Sequence, residues 1–288
     1  MIYKVFSTFI FTIKSIGFLH SVKPQIVHLY SPIYLLTGLY CKVFFGSKVV
    51  LSIHGTDGLR IQNFKFLRLI FRLTDLNLSL SKKFIENINR KDIQYLGNGF
   101  DKSLFYLFNK ENDNRDKYII TAGNLRWQKD HKSMIEAFNI FHKLHNNYKL
   151  IIIGEGELRN ELEKQIQELN LKDFVSLNGK RDQKYIAELM NRSELFFLSS
   201  NTEGSPKVIY EAMACGLPIL STNVGDVKEN TTNETSVIVD VNVNAMAEGL
   251  SEIIDNRTFD RIFISEDVKK KSWKFVSENL DRIYEGFI

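Results

Sequence analysis

Between residues 117 and 240, short apolar runs alternate with longer stretches of mixed polarity. The runs are YIITAG (118–123), KLIIIG (149–154), FVSL (174–177), ELFFLSS (194–200), LPILST (217–222) and SVIVD (236–240). Continuous apolar runs, rather than alternating ones, predict strands buried on both faces. The intervening segments keep a helical period: KSMIEAFNIFHKL sets Met134, Ile135, Phe138 and Leu144 among polar neighbours. Together they predict an α/β domain, a doubly wound parallel sheet of six strands with helices on both faces. Upstream the same rhythm is shorter. QIVHLY (25–30), KVVLSIHG (48–55), DLNLSL (75–80) and IQYL (93–96) predict four strands of another α/β unit, and the turn cluster GNGFD (97–101) joins the two. The expected division is 1–108, 109–265 and a C-terminal helix, 266–288, returning to the first domain.

Composition leaves this picture standing. The chain has 288 residues, 44% apolar and 25% charged with four prolines, which is globular and argues against long disordered linkers. The opening MIYKVFSTFIFTIKSIGFL is broken by Lys14, is too short to span a bilayer, and is followed by no small-x-small cleavage site. It reads as an amphipathic helix of a cytoplasmic protein, with membrane contact as the minor reading. Cys41 and Cys215 lie in apolar runs without a C-x-x-C partner, which fits a reducing compartment. Net charge is +4, unevenly spread: residues 1–108 carry 14 Lys/Arg against 5 Asp/Glu, and the remainder 24 against 29. The basic first part is expected to face something anionic: phospholipid headgroups, a phosphorylated lipid or a nucleic acid backbone.

Ligands of open α/β sheets bind beyond the carboxyl ends of the strands, which selects four places: His54-Gly55, Gly123 to Lys129, Gly154 to Leu158, and Asn201 to Glu211. In NTEGSPKVIYEAMACGLPIL (201–220), Pro206 suits the first helical position and Ser205 the N-cap, while Gly216 and Pro218 stop the helix. The amides of Lys207 and Val208 at the positive end invite a phosphate. Glu203 and Glu211 suit paired hydroxyls, and the combination describes a nucleotide-sugar. The plainer alternative pairs Glu211 with Lys207 at i,i+4 on an exposed face, with Glu203 merely favouring the helix start. Spacing alone favours that alternative. In AGNLRWQKDH (122–131), Arg126 and Lys129 either neutralise a diphosphate leaving group or belong to a solvated loop. His54 either contacts a transferred group or is held by a loop. His142 and His145 lack a third ligand, no Asp-x-Asp ends a strand, and no P-loop occurs, so no metal or other cofactor is expected. GEGEL (154–158) lacks the third glycine of a dinucleotide fingerprint.

These segments resemble one family. EGSPKVIYEAMACGLPIL resembles the E-x7-E segment of the family 4, or group 1, glycosyltransferases, and GNLRWQKD their phosphate-contacting G-R-L-x-x-x-K-G segment. HG (54–55), GNGFD (97–101), GEGEL (154–158) and VGDVKE (224–229) fall in the family's order. The resemblance implies the GT-B fold, two Rossmann-like doubly wound domains, with an acceptor-side first domain and a donor-binding second. It implies that Glu203 contacts the donor sugar, His54 approaches from the acceptor side, and Lys129 stabilises the departing diphosphate. Glu211 would take the ribose, the helix start at Ser205, Lys207 and Val208 the diphosphate, and the main chain at Lys180-Arg181 the base. Around Gly123, Asn124 stands where the family has arginine, and Arg126 is expected to supply that charge. The family's opening strand, Gly-rich loop and further β-α units do not precede KPQIVHLYSP, so the first domain is expected to be incomplete.

The implied activity is metal-independent, retaining transfer of a hexose-type sugar to a lipid-linked or surface-polysaccharide acceptor, at the inner face of a membrane and without nucleic acid. The rivals are a non-catalytic or partner-dependent nucleotide-sugar-binding subunit, its partner chain supplying the missing part, a truncated relative, and another GT-B enzyme such as a nucleotide-sugar epimerase.

Overall fold

The computed structural model describes residues 2–54, 61, 65–108 and 115–286. Gly55 and the turn after it lie outside them. The chain forms two compact units, Met1–Gly97 and Asn98–Ile288. The division falls before the expected 108 because Phe100 and Phe105 are buried in the core of the second unit. Residues 266–288, expected with the first domain, are grouped with the second unit. There Ser272 bridges Phe100, and the Trp273 N–H donates to the Phe100 carbonyl at 2.9 Å.

The first unit is a parallel sheet of β1 (Ile26–Leu29), β2 (Lys48–Ile53), β3 (Leu76–Ser79) and β4 (Ile93–Tyr95), in that order. These are the four upstream runs. The helix Leu35–Phe45 lies close on this sheet at Gly38, where a Cβ would come within 2.9 Å of both Leu29 and Val49 side chains. Leu29, Val49, Leu51, Ile53, Phe84 and Ile93 form its core.

The second unit holds the six downstream runs as β5 (Tyr118–Ala122), β6 (Lys149–Ile153), β7 (Val175–Leu177), β8 (Leu195–Leu198), β9 (Ile219–Thr222) and β10 (Ser236–Val239). All pair in parallel, in the order β10-β9-β8-β5-β6-β7. Strands from β5 to β7 step outward in one direction; the chain then returns to place β8 on the other flank of β5. That reversal between β5 and β8 is where connections part to opposite faces, opening a crevice at the carboxyl ends. Consecutive residues of β5 feed different cores. Ile119 packs with Met134, Phe138 and Leu162, and Ile120 with Phe196, Ile209 and Met213. Burial on both faces is why these runs are apolar without alternation.

Candidate functional site

The loop after β5 is fixed by the loop after β6. Leu125 N–H donates to Glu155 O (3.0 Å), and Leu158 N–H donates to Leu125 O (3.2 Å). A Cβ on Gly154 would lie 1.8 Å from Gly123 O, and one on Gly156 2.3 Å from Leu125 O. The glycines of GEGEL thus let two main chains touch. Beyond Leu125 the chain turns through Trp127–Lys129, and Asp130 caps the helix His131–His142 by accepting from Ser133 N–H. This brings the Lys129 ammonium 2.6 Å from Glu203 Oε1, across the reversal from the loop after β8.

The two loops are stitched together. Ser199 Oγ donates to Lys129 O (2.8 Å), and Asn201 N–H to Gln128 O (2.8 Å). Ser200 Oγ donates to Glu203 Oε1 (2.8 Å), and Ser200 O accepts from Thr222 Oγ1 (2.7 Å). Glu203 and Lys129 side chains are 14% and 24% exposed, so their attraction is stronger than that of a surface pair. Sequence reasoning singled out both charged residues but missed Ser200, a buried hydroxyl at a strand end.

The helix after Glu203 runs Lys207–Ala214, with Pro206 rather than Ser205 at the cap position and no side-chain cap. The expected Ser205 cap is therefore corrected: its hydroxyl lies 3.4 Å from Tyr210 Oη, and its carbonyl accepts from Asn98 Nδ2 at 2.9 Å. No side chain caps the first turn, which begins with the amides of Lys207 and Val208. Glu211 does pair with Lys207, at 3.0 Å, as the plainer alternative required. Yet the face is not an exposed one. Val208 through Ala214 are all buried, and the Glu211 side chain is only 9% exposed while Lys207 is half exposed. A buried carboxylate held by one mobile cation costs stability, and such a carboxylate suits recognition of hydroxyls.

Behind Glu203, the turn after β9 supplies Gly225 and Asp226, which sequence reasoning placed only within a motif. Asp226 N–H donates to Gly204 O at 3.2 Å, and the Asp226 side chain is fully buried. Burial pushes its carboxyl up to about 6, with Glu229 adding and the Ser205 and Asn230 side chains opposing. The signal that could have found it is the strand-end rule applied to β9.

The other expected residues are spread over both units. Asn124 and Arg126 are exposed on the loop beyond Gly123. Lys180 and Arg181 are exposed after β7, two strands away, where the Arg181 guanidinium lies 5.1 Å from the Tyr185 ring centroid. His54 belongs to the first unit, after β2, with its ring 5.6 Å from that of Tyr30. Its neighbour His28 is lowered to about 4 by burial and by the charge of His54. His142 and His145 are packing residues: His142 stacks on Phe138, and His145 stacks on Phe141 and bonds Asp255 at 2.9 Å. Among the described residues no group of three or more His, Cys, Asp or Glu could hold a metal ion.

Residues 105–270 match the family described as "Glycosyl transferases group 1". A Campylobacter jejuni relative, N-acetylgalactosamine-N,N'-diacetylbacillosaminyl-diphospho-undecaprenol 4-alpha-N-acetylgalactosaminyltransferase, is 30% identical over 54% of this chain and 46% of its own length. The N-acetyl-alpha-D-glucosaminyl L-malate synthase of Bacillus anthracis is 29% identical over 63% of this chain and 51% of its own. The chain spans about half the length of these curated relatives. Among solved structures, sucrose-phosphate synthase from Thermosynechococcus elongatus aligns with a TM-score of 0.81 at 17% identity, over 96% of this chain and 77% of that one. Anabaena HepE in complex with UDP aligns at 0.78 and 19%, over 96% and 82%. These likenesses show the fold, which is GT-B.

Proposed function

The chain belongs to the group 1 glycosyltransferases, and from that premise we propose that its second unit binds a nucleotide-sugar and that the protein moves the sugar to a lipid-linked or surface-polysaccharide acceptor. The observation that carries the reading is the Lys129–Glu203–Ser200 group beside an uncapped helix start, with a buried carboxylate one turn along.

In this reading the diphosphate lies on the amides of Lys207 and Val208, and the Lys129 ammonium, now on Glu203, is shared with it as negative charge grows on the leaving group. The bond from the sugar's anomeric carbon to the phosphate oxygen breaks with its electron pair going to phosphate. The acceptor hydroxyl bonds to the same carbon on the same face, and its proton passes to the leaving phosphate oxygen, so configuration is retained. Glu203 orients the sugar, Glu211 accepts from the ribose hydroxyls, and Lys180-Arg181 edge the base. None of these steps calls for a metal.

The name of the Campylobacter relative includes a diphospho-undecaprenol, which supports a lipid-linked acceptor. The excess of cations in residues 1–108 suits anionic headgroups, and no helix of the described residues is long and apolar enough to cross a membrane. A partner-dependent donor-binding subunit is the second reading, favoured by β1, which among the described residues pairs only with β2 and leaves an edge for another strand. Incubation with a panel of nucleotide-sugars, with and without membrane extract, tests both. Nucleotide release with the extract supports transfer. Binding without release supports the subunit. No binding to any donor refutes both.

A further inference from the structure

Gly225 and Asp226 press on the donor loop from behind. Gly225 has φ +55°, and a Cβ there would lie 2.4 Å from Gly204 O and 3.1 Å from Glu203 Cβ. The main chain of this turn can therefore lie directly against Glu203-Gly204, and Asp226 N–H closes the contact by donating to Gly204 O. What remains unexplained is the acid itself. Asp226 is 0% exposed, and neither carboxylate oxygen makes a hydrogen bond of regular geometry. A glycine-led turn needs no acid at this position, and a buried carboxylate without strong partners opposes folding.

The groups that face it are few. Ser205 comes from the donor loop, with Tyr210 Oη beyond its hydroxyl. From its own short helix, Val227–Asn230, come Asn230, whose amide donates to the Asp226 carbonyl at 2.6 Å, and the like charge of Glu229. Lys271 reaches Asn230 Oδ1 and lies 5.1 Å from the Tyr210 ring, so this cation stands one residue removed from the acid. Glu203, on the other side of Gly204, is already engaged with Lys129. The side chain of Ser205 thus joins Asp226 to the helix start.

We infer that Asp226 is a positioning residue for the diphosphate loop, acting through Ser205 and Gly204, and that its charge opposes that of an anion bound at the helix start. The inference rests on the nucleotide-sugar reading of the site. Ionised, Asp226 draws the Ser205 hydroxyl backward and adds negative charge behind the phosphate position. Protonated, it releases both effects. A diphosphate should therefore bind with uptake of a proton by Asp226, and more tightly as pH falls through the acid's midpoint near 6.

The test is calorimetric titration of the full chain and Asp226→Asn with UDP, GDP and inorganic pyrophosphate between about pH 5 and about pH 8. Titration of the phosphates themselves affects both proteins and cancels in the ratio of their affinities. The wild-type chain should lose about tenfold relative to Asp226→Asn across this window, the equivalent of one unit of pKa linkage. Ser205→Ala, which keeps the acid but removes its hydroxyl, should move the midpoint of the wild-type pH response upward, and it serves should Asp226→Asn fail to fold. Superimposable pH curves for wild type and Asp226→Asn, or an unmoved midpoint in Ser205→Ala, overturn the inference and leave the nucleotide reading intact. A wild-type chain that binds none of the probes at any pH overturns both.

Discussion

Glu211→Gln should separate ligand binding from folding. The carboxylate is 9% exposed and paired with Lys207, whose side chain is half in water. Removing one partner of an ion pair is severe when the survivor is buried; here the survivor rehydrates. Loss of a buried charge then leaves stability within about 1 kcal/mol of wild type, or raises it. Binding should move the other way. Hydrogen bonds to an ionised acceptor contribute roughly 1.5–3 kcal/mol against roughly 0.5–1.5 for a neutral one. The amide should therefore weaken nucleotide affinity by about 1–1.5 kcal/mol, on the order of tenfold. Thermal unfolding beside calorimetry with UDP, GDP and ADP reads both quantities. A melting temperature lowered by several degrees with unchanged affinity for every nucleotide would make Glu211 a packing residue and sink the ribose assignment.

Other perturbations test neighbouring parts of the argument. Glu203→Gln should keep the fold but cut transfer to below about a hundredth of wild type; near-normal turnover with donor bound as before would remove Glu203 from the reaction. Gly154→Ala, at φ +152° and 1.8 Å from Gly123 O, should cost about 2 kcal/mol or more in chemical denaturation, and an unchanged midpoint would contradict the loop contact. Asp226→Asn should raise stability at neutral pH by up to about 3 kcal/mol, since a folded-state value near 6 exceeds the unfolded 3.8. The penalty it removes is absent below 3.8 and complete above 6. His131, lowered to about 4 by burial and by Lys129, contributes stability that is full above 6.5 and lost as pH falls toward 4. In the wild type these opposing slopes offset each other, so denaturation of Asp226→Asn should show the greater acid sensitivity.

Strand positions were legible in the sequence because burial on both faces demands unbroken apolar runs, and all ten runs are strands. Lys129 and Glu203 were legible as candidates because both follow strand ends, and the structure joins them at 2.6 Å. Less visible were effects that depend on which loops touch. The glycines of GEGEL read as a faint phosphate fingerprint, since nothing in the string says that Gly123 O lies against Gly154. Ser205 read as a cap because Pro206 suits the first helical position; Pro206 instead holds the cap position, and Ser205 turns toward Asp226. The C-terminal helix carries no mark of its destination, and its grouping with the second unit follows from main-chain bonds at Phe100.

Those bonds have a consequence for synthesis. Phe100 is among the first residues of the second unit to leave the ribosome, and its amide and carbonyl are satisfied by Lys271 and Trp273, about 170 residues later. A ribosome adds roughly 5–20 residues per second, so the segment beginning this unit waits about ten seconds or more for its main-chain partners. During that interval Phe100 and its neighbours depend on whatever shelter the nascent chain or a chaperone provides. A nonsense codon between positions 240 and 271 would release a chain with all six strands of the sheet and without the residues that close its first segment.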